Sequence, residues 1–253
     1  RHGHGYSTLH NVQYGIETMQ SMFVPLEDSI KIIQLSLKNH AEVHRELSLI
    51  YYVEWVLGIN KHDEGPFIAT KWDDEENILM AQNVYSDEYR GNLAFVASNI
   101  PPSSFTGDRT EFIGRNRDMT NPAGLKRQNL SGRTGAGYDS CGAIQVQVEI
   151  PPQGDKNIIF MIGQEQSIQD VRMLVAKYSD ESVILKSIGE VKDFWDSKLG
   201  IIKVHTPDKS MDFMVNRWLL YQTLACRMWA RAAFYQCGGA YGFRDQLQDS
   251  MAV

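Results

Sequence analysis

The chain has 253 residues, 43% of them apolar and 22% charged, which is ordinary globular usage and excludes a disordered or fibrous chain. Its formal charge of −6 excludes a surface built to wrap a polyanion, so no nucleic-acid partner is expected. Cys141, Cys226 and Cys237 are odd in number and lack metal-ligand spacing, which indicates neither a disulfide framework nor a metal site and favours a reducing, cytoplasmic compartment.

Residues 1–163 read as strands and turns. The stretches 30–37 and 143–150 carry β-branched residues in period-two alternation, so each faces a core on one side. Turn signals fall at Lys38-Asn39-His40, Pro101-Pro102-Ser103-Ser104, Asn121-Pro122-Ala123-Gly124 and Pro151-Pro152-Gln153-Gly154, the pattern of an antiparallel sandwich. The run Asp73-Asp74-Glu75-Glu76 reads as a solvated loop without calcium-ligand spacing. Strand alternation puts His2, His4 and His10 on one face, but nothing fixes the third against the first pair, so surface or packed histidines are expected. His40, His44, His62 and His205 stand singly. Two glycine and charge motifs follow: Thr106-Gly107-Asp108-Arg109 with Glu111-Phe112-Ile113-Gly114-Arg115, and Leu130-Ser131-Gly132-Arg133-Thr134-Gly135-Ala136-Gly137. The second lacks the Gly-Lys-Ser/Thr ending of a phosphate cradle, and arginines packing against a neighbouring domain or subunit are expected instead.

After Gly163 the period changes. Val171, Leu174 and Val175, then Val183, Leu185, Ile188, Val191 and Trp195, predict amphipathic helices over 167–178 and 181–199. A short strand over 201–204 leads to Thr206-Pro207-Asp208, where Thr206 is placed to cap a helix and Pro207 to begin it. That helix, about 207–236, carries Met214, Trp218, Leu219, Leu220, Tyr221, Leu224, Met228 and Trp229 with hardly a polar face, so burial on most sides is expected. No segment approaches the roughly 18 consecutive apolar residues of a membrane span. The sequence opens at Arg1 in a strand-like stretch and closes at Val253 in a helix-like one, so a fragment of a longer protein is expected.

The stretch Gly238-Gly239-Ala240-Tyr241-Gly242-Phe243-Arg244-Asp245-Gln246-Leu247-Gln248-Asp249 concentrates candidate site residues. Its glycines permit close approach of a ligand, and Asp245 falls at a helix N-cap position. Arg244, Asp245, Gln248 and Asp249 offer planar polar groups for pairs of sugar hydroxyls, and Tyr241, Phe243 or Trp218 can stack on a pyranose. Asp245 and Asp249 would stand about 5–6 Å apart on one helix face. Two carboxyls flanking a glycosidic bond in an inverting glycosidase need about 6.5–9.5 Å. Substrate positioning is therefore the role expected of them, and no catalytic residue is assigned.

Asn216-Arg217-Trp218-Leu219-Leu220-Tyr221-Gln222-Thr223-Leu224-Ala225-Cys226-Arg227, Trp229-Ala230-Arg231 and the glycine-rich stretch together resemble the opening of the catalytic domain in the cellobiose-phosphorylase family of inverting glycoside phosphorylases. Glu54-Trp55-Val56-Leu57-Gly58, Thr106-Gly107-Asp108-Arg109 and Leu130-Ser131-Gly132-Arg133 resemble the subgroup formed by the phosphorylase-like region of cyclic β-1,2-glucan synthases. The resemblance implies an α+β chain: an antiparallel β-supersandwich over 1–165, a helical linker over 166–204, and over 205–253 the first helix of a truncated (α/α)6 barrel. It implies that Asp245 bonds the sugar on the non-reducing side of the cleaved linkage. It also implies a general acid and phosphate-binding residues beyond the chain, no cofactor, inorganic phosphate as co-substrate, and a β-glucan oligosaccharide or polysaccharide as partner. A homodimer stays open. Cellobiose-type members carry Arg where this sequence has Gly239, which departs from cellobiose specificity. The function implied is β-1,2-glucan phosphorolysis or synthesis by the intact protein, on the cytoplasmic side of the inner membrane if that protein is a membrane synthase, with the fragment alone inactive. The alternative is a non-catalytic glucan-binding or chain-length-measuring module.

Overall fold

The structure is a computed structural model and describes residues 1–58, 60–86, 90–229 and 243–251. The chain divides into two compact units, Arg1–Ile188 and Gly189–Val253.

The first unit is built on antiparallel strands: β1 (Tyr6–Gln13), β2 (Ile16–Phe23), β3 (Ile30–Asn39), β4 (Arg45–Glu54), β5 (Ile68–Asp73), β6 (Ile78–Asn83), β7 (Leu93–Ser98), β8 (Ser104–Asp108), β9 (Ser140–Ile150) and β10 (Asp155–Glu165). The larger sheet runs β1-β2-β3-β10-β7-β6-β5 and the smaller runs β4-β9-β8. Alternation in β9 sends Ile144, Val146, Val148 and Ile150 to one face, where they share a core with Ile33 and Leu37 of β3, Val96 of β7, and Ile158 and Phe160 of β10. Trp72 of β5 stacks on Phe105 of β8 at 3.8 Å between centroids, which ties the sheets together at another point. The expected strands are present and extend to Asn39 and back to Ser140.

Local chemistry sets the turns. The β1–β2 link is Tyr14-Gly15, with φ of 53° and 78°, the left-handed pair that fits a two-residue hairpin. Asn39 is fully buried, and its amide donates to the carbonyls of Val43 at 2.8 Å and Pro151 at 3.0 Å, fastening the end of β3 to the end of β9.

The acidic run is not wholly solvated. Asp73 is 8% exposed and accepts two bonds from Arg172, at 2.8 and 2.7 Å, while Glu75 pairs with the same guanidinium. Arg172 lies on α3 (Ile168–Tyr178), so this pair anchors the helix that follows the sheets. Those bonds hold the Asp73 carboxyl below its ordinary range against the opposing effect of burial. Ser167 caps α3 by accepting from the Asp170 N–H at 3.1 Å. His10 is an exposed histidine as expected, and His40, which stands alone in the sequence, joins it on Glu17, at 2.6 Å against 2.8 Å for His10.

A short α1 (Lys61–Glu64) follows β4, α2 (Arg109–Ile113) follows β8, and α4 (Glu181–Leu199) follows α3. In the second unit come α5 (Lys209–Phe213), π-helical turns at Met214–Trp218 and Thr223–Trp229 around α6 (Leu219–Gln222), and α7 (Phe243–Met251). No strand forms over 201–204. Instead the Asn216 side chain accepts from the Val204 N–H at 2.6 Å and donates to its carbonyl at 2.9 Å, taking the place of a strand partner. The cap is Asp208, whose side chain accepts from the Ser210 N–H at 2.8 Å, so Thr206, expected as the cap, instead donates to the Asp208 carbonyl, and Pro207 precedes the helix. Met211, Phe213, Leu219 and Met228 are exposed, and the described residues of this unit supply no element that covers them. Residues 230–236 of that expected helix lie outside the described residues. Among the described residues no helix is long and apolar enough to cross a membrane.

Candidate functional site

Three of the motifs singled out in the sequence meet at one end of the smaller sheet. β4 ends on Glu54, β8 ends on Asp108, and Arg109 begins α2. Glu54 accepts from Arg109 Nε at 2.6 Å, from Lys61 Nζ at 2.7 Å and from the Tyr52 hydroxyl at 2.9 Å. Asp139 takes the same two cations, at 3.0 Å from Lys61 Nζ and 3.3 Å from Arg109 Nη1. Asp108 caps α2 through the N–H groups of Thr110 and Glu111, and its other oxygen accepts from Arg133 Nη1 at 3.0 Å. Arg127 pairs with the buried Glu111.

Two glycines make the convergence possible. A Cβ on Gly107 would lie 2.3 Å from Thr70 Oγ1, the group that receives the Gly135 N–H at 3.1 Å, so this loop closes only over a hydrogen atom. A Cβ on Gly142 would lie 2.8 Å from the Trp55 ring, which packs there as part of the motif that supplies Glu54.

The electrostatics of this cluster define what it can do. Burial would raise the Glu54 carboxyl, but bonds from Lys61, Arg109 and Tyr52 overcome it and hold the group at about 2. Glu54 is therefore an anion near neutrality and cannot serve as a general acid there. Burial, followed by the surrounding carboxylates, pushes the Cys141 thiol up, so it is a buried packing group and not a nucleophile. Arg109, Arg127 and Arg133 each pair with a carboxylate inside the first unit, Glu54, Glu111 and Asp108 respectively. Arg115 and Arg117 are exposed and form no ion pair among the described residues. Lys61, Asp139 and Tyr52 carried no sequence signal: Lys61 comes from α1, Asp139 from just before β9, and Tyr52 from β4 itself.

The sugar-binding candidates lie in the second unit. Arg244, Asp245, Gln248 and Asp249 are all on α7, with Asp245 and Asp249 four residues apart on one face, and Arg244 and Gln248 on another. Arg244 and Gln248 are exposed. Phe243 is the first residue of the helix, so Asp245 occupies its third position and not the expected N-cap. Tyr241 and the glycines at 238, 239 and 242 lie outside the described residues. Among the described residues no cluster of His, Cys, Asp and Glu could hold a metal ion.

Comparison with known proteins adds to this geometry. Residues 1–181 match the supersandwich domain of glycosyl hydrolase 94, and residues 194–253 match the catalytic domain of the glycosyl hydrolase 94 superfamily. The chain is 36% identical over 253 residues to the cyclic beta-(1,2)-glucan synthase NdvB of Rhizobium meliloti (strain 1021), covering 100% of this chain and 9% of that protein. It is 27% identical over 264 residues to the N,N'-diacetylchitobiose phosphorylase of Vibrio furnissii, covering 100% of this chain and 32% of the relative. With the solabiose phosphorylase of Paenibacillus borealis the identity is 25% over 255 residues, again 100% of this chain and 32% of the relative. The chain thus spans a third or less of the length of these curated relatives.

Proposed function

The chain belongs to the glycosyl hydrolase 94 family of carbohydrate-active proteins, and we propose that it forms part of an inverting glycoside phosphorylase or glycosyltransferase acting on β-1,2-linked glucan. The observation that supports this linkage is the 36% identity, along all 253 residues, to a protein named as a cyclic beta-(1,2)-glucan synthase. The phosphorylase names of other relatives support phosphate as co-substrate. A buried free thiol at Cys141 suits a reducing compartment and so the cytoplasm.

In this reading a phosphate oxygen attacks the anomeric carbon from the face opposite the glycosidic oxygen. The carbon–oxygen bond breaks, the departing oxygen takes a proton from a carboxylic acid, and α-glucose 1-phosphate leaves with inverted configuration. Glu54, held at about 2, is too acidic to be that proton donor. Asp245 bonds a hydroxyl of the sugar on the non-reducing side, with Arg244, Gln248 and Asp249 beside it and Tyr241 or Phe243 against the apolar face of the ring.

The test is phosphorolysis by the intact protein. β-1,2-gluco-oligosaccharides with inorganic phosphate are expected to release α-glucose 1-phosphate, identified by the anomeric coupling in its NMR spectrum. Asp245→Ala is expected to lower kcat/KM roughly 10- to 150-fold, the equivalent of about 1.5–3 kcal/mol for a charged hydrogen bond. Release of the β anomer would refute inversion, and an unchanged kcat/KM would remove Asp245 from the site.

A further inference from the structure

We propose that the first unit holds a sugar site of its own, which takes a single hexopyranose at the end of a neutral oligosaccharide. The choice of ligand class rests on the carbohydrate reading above. A cleft of about 310 Å³ opens where β6 ends, β7 begins and β10 ends, lined by Leu57, Gly58, Asn83, Asn92, Ala94 and Gln164. That size is at the small end of ligand pockets and suits one ring better than a chain. Among the described residues none that lines the cleft is charged.

The cleft is held open by a buried amide. Asn83 is 1% exposed, and its Nδ2 donates to the Leu57 carbonyl at 3.0 Å and to Glu64 Oε2 at 2.6 Å. Its Oδ1 accepts from the N–H groups of Tyr85 and Ser86, both at 3.0 Å. One side chain thus fixes both the loop after β4 and the loop after β6. Leu57 has φ of 41°, an unfavourable conformation for a bulky residue, and its carbonyl is pinned there by Asn83. A Cβ on Gly58 would lie 2.4 Å from the Glu64 side chain, so a larger residue there would displace Glu64, the acceptor of the Asn83 amide. Strain and a wholly committed buried amide maintain this shape in the absence of any ligand.

What the cleft presents is different in kind. The side-chain amides of Asn92 and Gln164 line it and have no hydrogen-bond partner among the described residues. Each offers a donor pair and an acceptor in one plane, the complement of two adjacent sugar hydroxyls, each of which both donates and accepts. Phe67 and Tyr85, which do not line the cleft, stack at 4.4 Å between centroids although they are 38% and 70% exposed. Tyr85 is the residue whose N–H Asn83 holds, so an aromatic surface able to take the apolar face of a ring is fixed to the same scaffold.

The test uses the 253-residue chain and saturation-transfer NMR with the β-1,2-linked glucose disaccharide, the β-1,4-linked disaccharide and adenosine. Transfer to at least one disaccharide is expected. The double substitution Asn92→Ala with Gln164→Ala is expected to weaken that binding at least tenfold with an unchanged Tm, because neither amide supports the fold. Asn11→Ala, on β1, is the control and should bind as the parent does. Absence of transfer to both sugars, transfer to adenosine alone, or equal binding by the double variant would each overturn the proposal. Catalysis is read independently: the double variant of the intact protein should keep its kcat/KM on a disaccharide, so a failed phosphorolysis assay and a failed sugar site give different results.

Discussion

Glu54→Gln removes one negative charge from the cluster at the end of the smaller sheet while keeping the shape of the side chain. The drop of the carboxyl from 4.5 to about 2 corresponds to roughly 3 kcal/mol of preference for the charged form in the folded state. The Glu54 side chain is 32% exposed, and Asp139 remains beside both Lys61 and Arg109 after the substitution. Solvent screening and this second anion reduce the expected loss to about 1–2 kcal/mol. The sign follows from a depressed carboxyl. Its contribution is fully present above 4.5 and disappears as pH falls through about 2. Urea denaturation of the parent and the variant, followed by circular dichroism, should show the variant less stable near neutrality and the gap closing towards pH 2. A gap that is the same at both ends of that range, or no gap near neutrality, would refute the view that the ion pairs of Glu54 stabilise the sandwich.

Other substitutions examine other parts of the structure. Gly163→Ala places a Cβ 2.6 Å from the Ser29 carbonyl and 2.8 Å from the Phe95 ring, and should cost about 1–3 kcal/mol, measured as a lower Tm; an unchanged Tm would show that β10 has slack there. Gly189→Ala, within α4 and with nothing inside 4 Å, should instead stabilise by about 0.4–1 kcal/mol. Asn216→Ala frees both backbone groups of Val204 and should make residues 201–208 the first site of limited proteolysis, with no change in the cutting of the first unit. Asp108→Ala removes the α2 cap and the Arg133 partner together, so it should cost about 2 kcal/mol in denaturant titration, whereas Asp108→Asn should keep most of the capping part.

The parts of the fold legible in the sequence were those whose signal is local. Alternation over 143–150 needs only that successive side chains point to opposite faces, and β9 follows it residue by residue. The helix Glu181–Leu199 has the expected bounds because its apolar spacing spans the whole segment. What failed was set by distant partners. Asp73 looks like one more acid in a solvated run until Arg172, 99 residues away, comes to it. Val204 looks like a strand residue, but its backbone finds the Asn216 side chain instead of a neighbouring strand. His10 and His40 look unrelated, because only the pairing of β1, β2 and β3 brings both to Glu17.

The same distinction separates the two sets of residues quoted for the resemblance. Motif residues of the sandwich are explained by the sandwich: Gly107 admits Thr70, Gly142 admits Trp55, Asp108 caps α2, and Arg109 and Arg133 are neutralised by Glu54, Asp139 and Asp108. Their presence in a sequence therefore follows from folding requirements, and they need no ligand to account for them. The residues of α7 belong to the second unit. The helix begins at Phe243, ahead of Asp245, so the capping role that the sequence allowed for Asp245 does not apply. The selection of sugar and linkage by the polar residues of α7 and the glycine-rich stretch before it is part of the proposal, and the Asp245→Ala assay is what tests it.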